Sequence, residues 1–289
     1  MTEPARTALV TGATNGIGRA TAGALAERGF RVLMVGRDPG RADEARREVE
    51  GRAARAGRGG SAAVFLADLS RQAEVRRLAA EVRDAAPRLD ALVNNAGALF
   101  NERREVDGVE ATMALNHVAY SLLTAELDAP LRAAGLATGD ARVVNVSSSA
   151  HEAPTPYQPD DLRLERGWSP FAAYAQSKLA NVLFTYALAR RMAGTGVAAN
   201  ALHPGVIASG FGAGSGGLFA AGFALMRPFM SSPEKGARTS VYLASDPAVR
   251  GATGGYYKKE RPARSSARSR DVAAQDALWA ATERAVASA

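Results

Sequence analysis

Two residues one helical turn apart could exchange a proton with a substrate. Tyr174 and Lys178 lie four positions apart in a stretch, residues 172–191, whose pattern predicts a helix, so their side chains share one face. An isolated tyrosine has a pKa of about 10 and is a poor acid or base at neutral pH. A nearby ammonium group favours the phenolate and lowers that pKa. The pair is therefore a candidate general acid and base, although Tyr/Lys pairs at this spacing are also common on helix surfaces.

A glycine-rich segment near the N-terminus could hold a phosphate. It runs from Thr11 to Gly18, directly after the first strand-like run, residues 7–10, and before the first helical pattern. Glycines at such a turn let the backbone approach a pyrophosphate and present the N–H groups of a helix N-terminus to an anion. Glycines also end strands for steric reasons alone, but this position favours dinucleotide binding. The candidate residues are Gly12, Thr14, Asn15, Gly16, Ile17 and Gly18.

The end of the second predicted strand bears on which dinucleotide binds. The sequence there is Val35-Gly36-Arg37-Asp38. NAD-selective proteins place a carboxylate at this point for the ribose 2′-hydroxyl, but here glycine occupies that place. The Arg37 guanidinium could bind the 2′-phosphate of NADP through two hydrogen bonds. Asp38 leaves NAD(H) as the alternative if the strand ends one residue later, so NADP(H) is preferred and NAD(H) stays open.

Composition narrows the remaining function classes. The chain has 289 residues, 36 Lys and Arg against 29 Asp and Glu, and no cysteine. Absence of cysteine excludes disulfides and thiolate chemistry, and three scattered histidines give no metal motif, so we expect no metal. A net charge of +7 allows a nucleic-acid interpretation. No recognition motif accompanies the charge, and most arginines fall on amphipathic helical patterns, so we expect no nucleic-acid partner.

Strand-like apolar runs alternate with helical patterns along the chain. This order predicts an α/β protein: one doubly wound, Rossmann-type domain over residues 1–289, with a mostly parallel sheet of about seven strands and helices on both faces. Residues 109–132 are expected to form one long helix. No signal peptide or apolar run of about 20 residues is present, so we expect a cytoplasmic protein without a membrane span. Residues 258–289 predict a basic loop, ordered or lid-like rather than a free tail, and a final helix.

With these motifs in place, the chain resembles the short-chain dehydrogenase/reductase family, in its retinol dehydrogenase-like and WW-domain-oxidoreductase-like branch. The resemblance runs from about Arg6 to the C-terminal helix. We expect no WW-like module before the fold, so that branch's partner binding is not implied. The matching segments are 11–18, 68–69, 94–97, 116–117, 144–148, 174–181 and 203–205.

The resemblance implies roles for individual residues. Ser148, the second of the serine pair after the fifth long strand, is expected to hold the reacting oxygen, with Ser147 and Ser149 as turn residues. Asn116 is expected to support a water relay to Lys178, which also holds the nicotinamide ribose. The adenosine side is assigned to Asp68, Leu69, Asn95, Ala96 and Gly97, and the nicotinamide side to Tyr174, Lys178, Pro204, Gly205 and Val206.

The family implies hydride transfer between NADP(H) and a small-molecule carbonyl or alcohol. His151 is a candidate to line the substrate entrance, and His117 is given no role. Residues 207–232 are the expected substrate-loop region; Phe211, Leu218, Phe219, Phe223 and Met226 suggest an apolar pocket wall, but core packing or a dimer surface in a homo-oligomer explains them equally well. The alternative function is an NADP-binding regulatory or sensor protein without turnover.

Overall fold

The structure, a computed structural model, describes residues 5–205 and 231–287. The first half alternates strictly between strands and helices. In chain order these are β1 (Thr7–Thr11), α1 (Gly16–Ala26), β2 (Arg31–Gly36), α2 (Pro39–Ala56), β3 (Ser61–Leu66), α3 (Gln72–Ala85) and β4 (Ala91–Asn94). A short antiparallel pair follows, β5 (Glu105–Val106) and β6 (Val109–Glu110).

The second half continues the alternation with longer helices. It contains α4 (Ala111–Met113), a π-helical turn (Ala114–Val118), α5 (Ala119–Glu126), α6 (Asp128–Thr138), β7 (Ala141–Val146), α7 (Pro170–Arg191), β8 (Val197–His203), α8 (Pro233–Ser245), β9 (Gly255–Lys258), β10 (Arg261–Pro262) and α9 (Val272–Ala287). Short 3₁₀ turns lie at Ser149–Glu152, Pro247–Val249 and Arg268–Arg270.

The main sheet has the strand order β10-β9-β8-β7-β4-β1-β2-β3. Every neighbouring pair is parallel except β9 and β10. The predicted α/β, doubly wound, mostly parallel sheet is thus confirmed. The described sheet has eight strands rather than about seven because the two residues of β10 turn back onto β9. The chain order reverses between β1 and β4, where open sheets of this kind bind ligands at the carboxyl ends of their strands.

The expected long helix over residues 109–132 is wrong. Val109 and Glu110 instead form β6, and Glu110 caps α4 by accepting the N–H groups of Thr112 and Met113. A second break follows at Leu127. Pro130 has no N–H to donate one turn back, so the helix of α5 cannot continue through it and α6 begins as a separate helix.

Helix starts elsewhere follow local sequence signals. Asp38, Ser169 and Ser232 each accept a backbone N–H of the helix that they precede, and each is followed by proline at the first helical position. Apolar side chains on both faces of the sheet then bury against these helices in two separate clusters. Among the described residues, every helix is too short or too polar to cross a bilayer.

Candidate active site

A cavity of about 460 Å³ opens at the carboxyl ends of β1, β2 and β4. Its floor is the glycine loop after β1, where Gly12 has φ +63° and a Cβ on it would lie 2.9 Å from the Ala96 Cα. A Cβ on Gly18 would overlap the carbonyl oxygen of Gly12, and one on Gly36 would overlap Thr14. At Gly12 and Gly18 the overlap is with backbone, so a side chain there would push the loop out of place. At Gly36 it is with the Thr14 side chain, which would have to move.

Hydrogen bonds join the glycine loop to the end of β4. The Thr11 hydroxyl accepts the N–H groups of Asn95 (2.8 Å) and Ala96 (3.0 Å). The Asn95 amide donates back to the carbonyl oxygens of Thr11 (2.8 Å) and Gly12 (3.4 Å). Asn95 is not among the residues that line the cavity. In the structure, Asn95 connects the loop after β4 to the loop after β1.

Arginines after β2 and β3 line one part of the cavity. Arg37, Arg41 and Arg71 all border it and are exposed. Within the ranges that the structure describes, none of their guanidinium groups forms a salt bridge. Burial raises the pKa of Asp68, but hydrogen bonds from Ser70 and the charges of Arg37 and Arg71 outweigh it, so the pKa is lowered. The result is an ionised Asp68 in a surplus of positive charge.

Asp38 has a local task at this end of the cavity. Its carboxylate accepts the Arg41 N–H at 2.8 Å and so caps α2. It also borders the cavity. Asp38 is the residue that kept NAD(H) as the alternative cofactor. One of its carboxylate oxygens already accepts an N–H of the helix that it precedes.

Ser148, Tyr174 and Lys178 come together from two elements. Ser148 follows β7 and begins a 3₁₀ turn, where its hydroxyl accepts the Ala150 N–H. The Ser148 hydroxyl is close enough to the Tyr174 phenol to lower its pKa. Lys178, one turn along α7, donates from Nζ to the Val146 carbonyl at 3.1 Å and lies 5.6 Å from the centre of the Tyr174 ring.

The neighbouring serine has a different environment. Ser147 is buried, and its hydroxyl donates to the Lys178 carbonyl at 2.7 Å. This bond ties the end of β7 to α7. Of the serine pair, Ser148 faces the phenol and Ser147 faces the helix backbone.

The pKa values of this pair depart from the sequence expectation. Burial raises the pKa of Tyr174 to about 12, and the Ser148 hydrogen bond only partly opposes this. Burial lowers the pKa of Lys178 to about 7. The expected lowering of the tyrosine pKa is not found in the chain by itself, because desolvation disfavours the phenolate and leaves the lysine only partly charged at neutral pH.

Asn116 lies in the π-helical turn beside this pair. Its amide donates to the Ala98 carbonyl (2.9 Å) and the Ser177 hydroxyl (3.0 Å), and its Oδ1 accepts the Ala98 N–H (2.9 Å). A Cβ on Gly97 would lie 3.2 Å from Asn116 Oδ1 and 3.5 Å from Lys178 Nζ. Both amide hydrogens of Asn116 are therefore used inside the protein, in bonds that hold residues 97–98 next to the lysine.

The remaining predicted site residues lie in several parts of the structure. Gly16, Ile17 and Gly18 begin α1, and Leu69, Ala96 and Gly97 line the cavity. Pro204 and Gly205 follow β8. Val206 and residues 207–230, which carry the predicted apolar wall, lie outside the described residues. His151 is 1% exposed and both of its ring nitrogens have partners in the protein, so it does not line an entrance.

Sequence reasoning missed some of the cavity wall. Arg41 and Arg71 were seen only as parts of amphipathic helices, and Phe100 and Arg104 were not singled out. Arg71 follows Asp68 by three residues at the start of α3, so its closeness to a strand end was a usable signal. Arg104, whose guanidinium lies 4.3 Å from the Phe100 ring centre, lies in an irregular segment with no such signal.

Known proteins match most of the chain. The family model described as short chain dehydrogenase matches residues 6–215. A protein of Streptomyces sp. (strain C5) named as a daunorubicin C-13 ketoreductase is 39% identical over 285 residues, covering 98% of this chain and 93% of its own. Human retinol dehydrogenase 14 is 38% identical over 272 residues, covering 87% and 77%.

A solved structure agrees with these sequence matches. The NADP active-site complex of RhlG from Pseudomonas aeruginosa superposes with a TM-score of 0.67 at 31% identity. It covers 88% of this chain and 94% of that one.

Proposed function

Because the chain belongs to the short-chain dehydrogenase family, in its retinol dehydrogenase-like branch, we propose that it interconverts a carbonyl and an alcohol with NADP(H), through Ser148, Tyr174 and Lys178. The observation that carries the proposal is that three groups lie together: Lys178 Nζ is 5.6 Å from the centre of the Tyr174 ring, and the Ser148 hydroxyl is close enough to the phenol to lower its pKa. A bound nicotinamide supplies the hydride in reduction or accepts it in oxidation.

The cavity fits a dinucleotide phosphate group. Bare backbone at Gly12 and Gly18 leaves the space that a Cβ would fill. The Gly16 N–H donates to the Asn15 side chain, and the N–H groups of Ile17 and Gly18 that follow it have no partner within the helix. Arg37 would hold the 2′-phosphate of NADP(H), with Arg41 and Arg71 adding positive charge. The three arginines that border the cavity support the preference for NADP(H) over NAD(H).

Tyr174 is suited to donate a proton in the direction of reduction. With its pKa raised to about 12, the phenol is protonated throughout the neutral range. The Ser148 hydroxyl, held at its oxygen by the Ala150 N–H, can donate to the reacting carbonyl oxygen or to the phenolate that proton transfer leaves. Lys178, with a pKa of about 7, can change protonation near neutral pH and restore the proton.

The relatives supply the proposed substrate class. Their names refer to retinol, polyprenol and the C-13 ketone of daunorubicin. We therefore favour a carbonyl or alcohol on a largely apolar molecule. Of the two sequence-based functions, turnover is favoured over a cofactor sensor because Tyr174, Lys178 and Ser148 are all present and adjacent.

A panel of apolar aldehydes and ketones tests the proposal, with NADPH consumption measured by absorbance and NADH in parallel. We expect turnover with NADPH, and a decrease in kcat of about 10²–10⁴-fold for Tyr174→Phe with unchanged NADPH affinity. Near-normal turnover by the cofactor-bound phenylalanine variant would show that the tyrosine mechanism is wrong. NADPH binding without turnover of any panel member would instead favour the sensor.

A further inference from the structure

The peptide group that follows Ser148 is held at both ends by histidine rings. Its carbonyl oxygen, that of Ser148, lies 2.7 Å from His151 Nδ1. Its N–H, that of Ser149, donates to His203 Nδ1 at 3.2 Å. His203 comes from the end of β8, and His151 from the 3₁₀ turn that Ser148 begins. Rotation of this one peptide plane is therefore opposed from two sides.

The partners of His151 determine which ring nitrogen carries the proton. A carbonyl oxygen can only accept, so Nδ1 must donate to Ser148. The other nitrogen, Nε2, accepts the backbone N–H of Ser266 at 3.1 Å and must be unprotonated. His151 is thus a neutral imidazole protonated at Nδ1. For His203 the reverse follows, because its Nδ1 accepts and the neutral ring carries its proton on Nε2.

The segment that follows β10, residues 263–271, contacts His151 through Ser266. Ser266 lies in it, and Arg268 of the same segment donates to the carbonyl oxygens of Ala153 and Thr155. The Tyr256 ring packs against His151 with 4.9 Å between ring centres. Lys258 pairs with Glu152 at 2.9 Å. Arg268 of this segment thus binds the backbone that follows the turn begun by Ser148, and Lys258 of β9 binds the carboxylate of that turn.

The charges around His151 act together on its protonation. Burial lowers the pKa of His151, and Lys258 and Arg268 lower it further, while the bond to Ser148 and the Glu152 carboxylate act against this. Burial likewise lowers the pKa of His203 to about 4, with Lys258 and His151 adding to the effect and Glu152 opposing it. Both rings are neutral at neutral pH, as their hydrogen bonds require.

We propose that His151 and His203 form a clamp on the Ser148–Ser149 peptide that positions the Ser148 hydroxyl, and that His151 extends this clamp to the segment following β10. The inference rests on the proposed catalytic role of Ser148. His151 and His203 are positioning residues, since they hold the backbone rather than the reacting atoms. The Ser148 hydroxyl must lie within hydrogen-bonding distance of both the phenol and the substrate oxygen. A fixed backbone keeps it there, because small displacements of a catalytic group lower the reaction rate.

Two conservative variants of His151 separate its two bonds. His151→Asn keeps an amide N–H at the place of Nδ1, which can still donate to Ser148, and loses the acceptor for Ser266. His151→Gln places its amide at Nε2, keeps the acceptor and loses the donor. We expect kcat for the best panel substrate to fall about 10–100-fold in the glutamine variant and less than about 5-fold in the asparagine variant. The affinity for NADPH should not change in either, because His151 does not line the cofactor cavity.

The protonation pattern gives a readout that does not depend on turnover. The chain has three histidines, so ¹⁵N-labelled histidine gives three pairs of ring-nitrogen signals, which single substitutions assign. We expect the Nδ1–H form for His151 and the Nε2–H form for His203 at neutral pH. Free neutral imidazole rings are mixtures of the two forms, so a mixed signal for His151 would overturn the clamp.

The outcomes distinguish this inference from the proposed function. If Ser148→Ala abolishes turnover while the glutamine and asparagine variants retain equal, near-normal kcat, the clamp is wrong and the function stands. If the wild-type chain turns over no carbonyl but shows the expected tautomers, the function fails and the clamp stands as a structural feature. If the glutamine variant does not fold by circular dichroism, the tautomers of the wild-type protein decide the matter.

Discussion

The cofactor region and the serine region hold their functional groups by different kinds of contact. In the cofactor region, the loops after β1, β2, β3 and β4, glycine backbone approaches neighbouring backbone and the arginines extend into open space. In the serine region, the turn at Ser148–Glu152 with residues 256–269, buried His151 and half-buried His203 of β8 bind backbone groups that are far away in sequence. The first region is organised for binding, and the second for rigid placement.

This difference makes the two regions separable by experiment. Changes in the cofactor region should alter the affinity for NADP(H) more than the stability or kcat. Changes in the serine region and in the histidines that support it should alter stability or kcat and leave the affinity for NADP(H) unchanged. A variant that changes all three properties equally would show that the two regions act as one unit.

The largest effect is expected for Gly18→Ala. The new Cβ would overlap the carbonyl oxygen of Gly12 and the Asn95 amide, so the phosphate loop must move. We expect the Kd for NADPH, measured by fluorescence titration, to rise at least about 100-fold, or about 2.7 kcal/mol.

Gly51→Ala in α2 is the matched control. Its Cβ would meet only the Arg55 guanidinium at 3.5 Å, and alanine is the better helix residue. Its Kd for NADPH should equal that of the wild type. Equal affinities in both variants would contradict the role of the loop.

The next effect is a loss of stability in acid. Burial lowers the pKa of both His117 and His203 from 6.5 to about 4. The unfolded chain therefore binds more protons than the folded one between these values, so stability falls as the pH falls from about 6.5 towards 4. Urea unfolding at pH 7 and pH 4.5 should show a loss of about 2 kcal/mol for each ring.

Substitutions that cannot titrate test the source of this loss. In His203→Asn the amide oxygen can still accept the Ser149 N–H, and in His117→Gln the amide can still donate to Thr282. Each variant should lose about 2 kcal/mol less than the wild type on acidification. An unchanged acid loss in both would assign the effect to other groups, such as His151, whose pKa burial also lowers, or Glu27, whose pKa is lowered by its hydrogen bond with Arg52.

The two regions also differed in how far the sequence could predict them. The glycine loop, the strand ends and the Tyr174/Lys178 spacing are short patterns, and the structure places these groups around one cavity and one turn of α7. Ser266, which donates to His151, and Thr282, which pairs with His117, lie 115 and 165 residues away, so no local pattern could identify these contacts. Pro130 was a sequence signal for the helix break at Leu127, whereas the π-helical turn around Asn116 had no such signal.

A smaller effect is expected from Arg37→Ala. Removing a charge-assisted hydrogen bond to a phosphate costs about 1.5–3 kcal/mol, so the Kd for NADPH should rise about 10–100-fold while the Kd for NADH stays nearly constant. Arg77→Ala is the control, because Arg77 pairs with Glu74 and Glu81 on the exposed face of α3. Parallel losses of NADPH and NADH affinity in Arg37→Ala would show that this arginine does not read the 2′-phosphate.

The smallest effect concerns the contact between α9 and the π-helical turn. The Thr282 hydroxyl donates to the Leu278 carbonyl at 2.8 Å, so its lone pair accepts the His117 Nε2–H at 3.0 Å. Thr282→Val keeps the shape and leaves that buried N–H without an acceptor, which should lower the free energy of unfolding by about 1–2 kcal/mol. Thr282→Ser, which keeps the hydroxyl, should recover most of this loss. His117 is adjacent to Asn116, so the valine variant also tests which region α9 supports. A lower kcat in the valine variant alone, at constant Kd for NADPH, would show that α9 supports the serine region. A change in Kd would show that it supports the cofactor region.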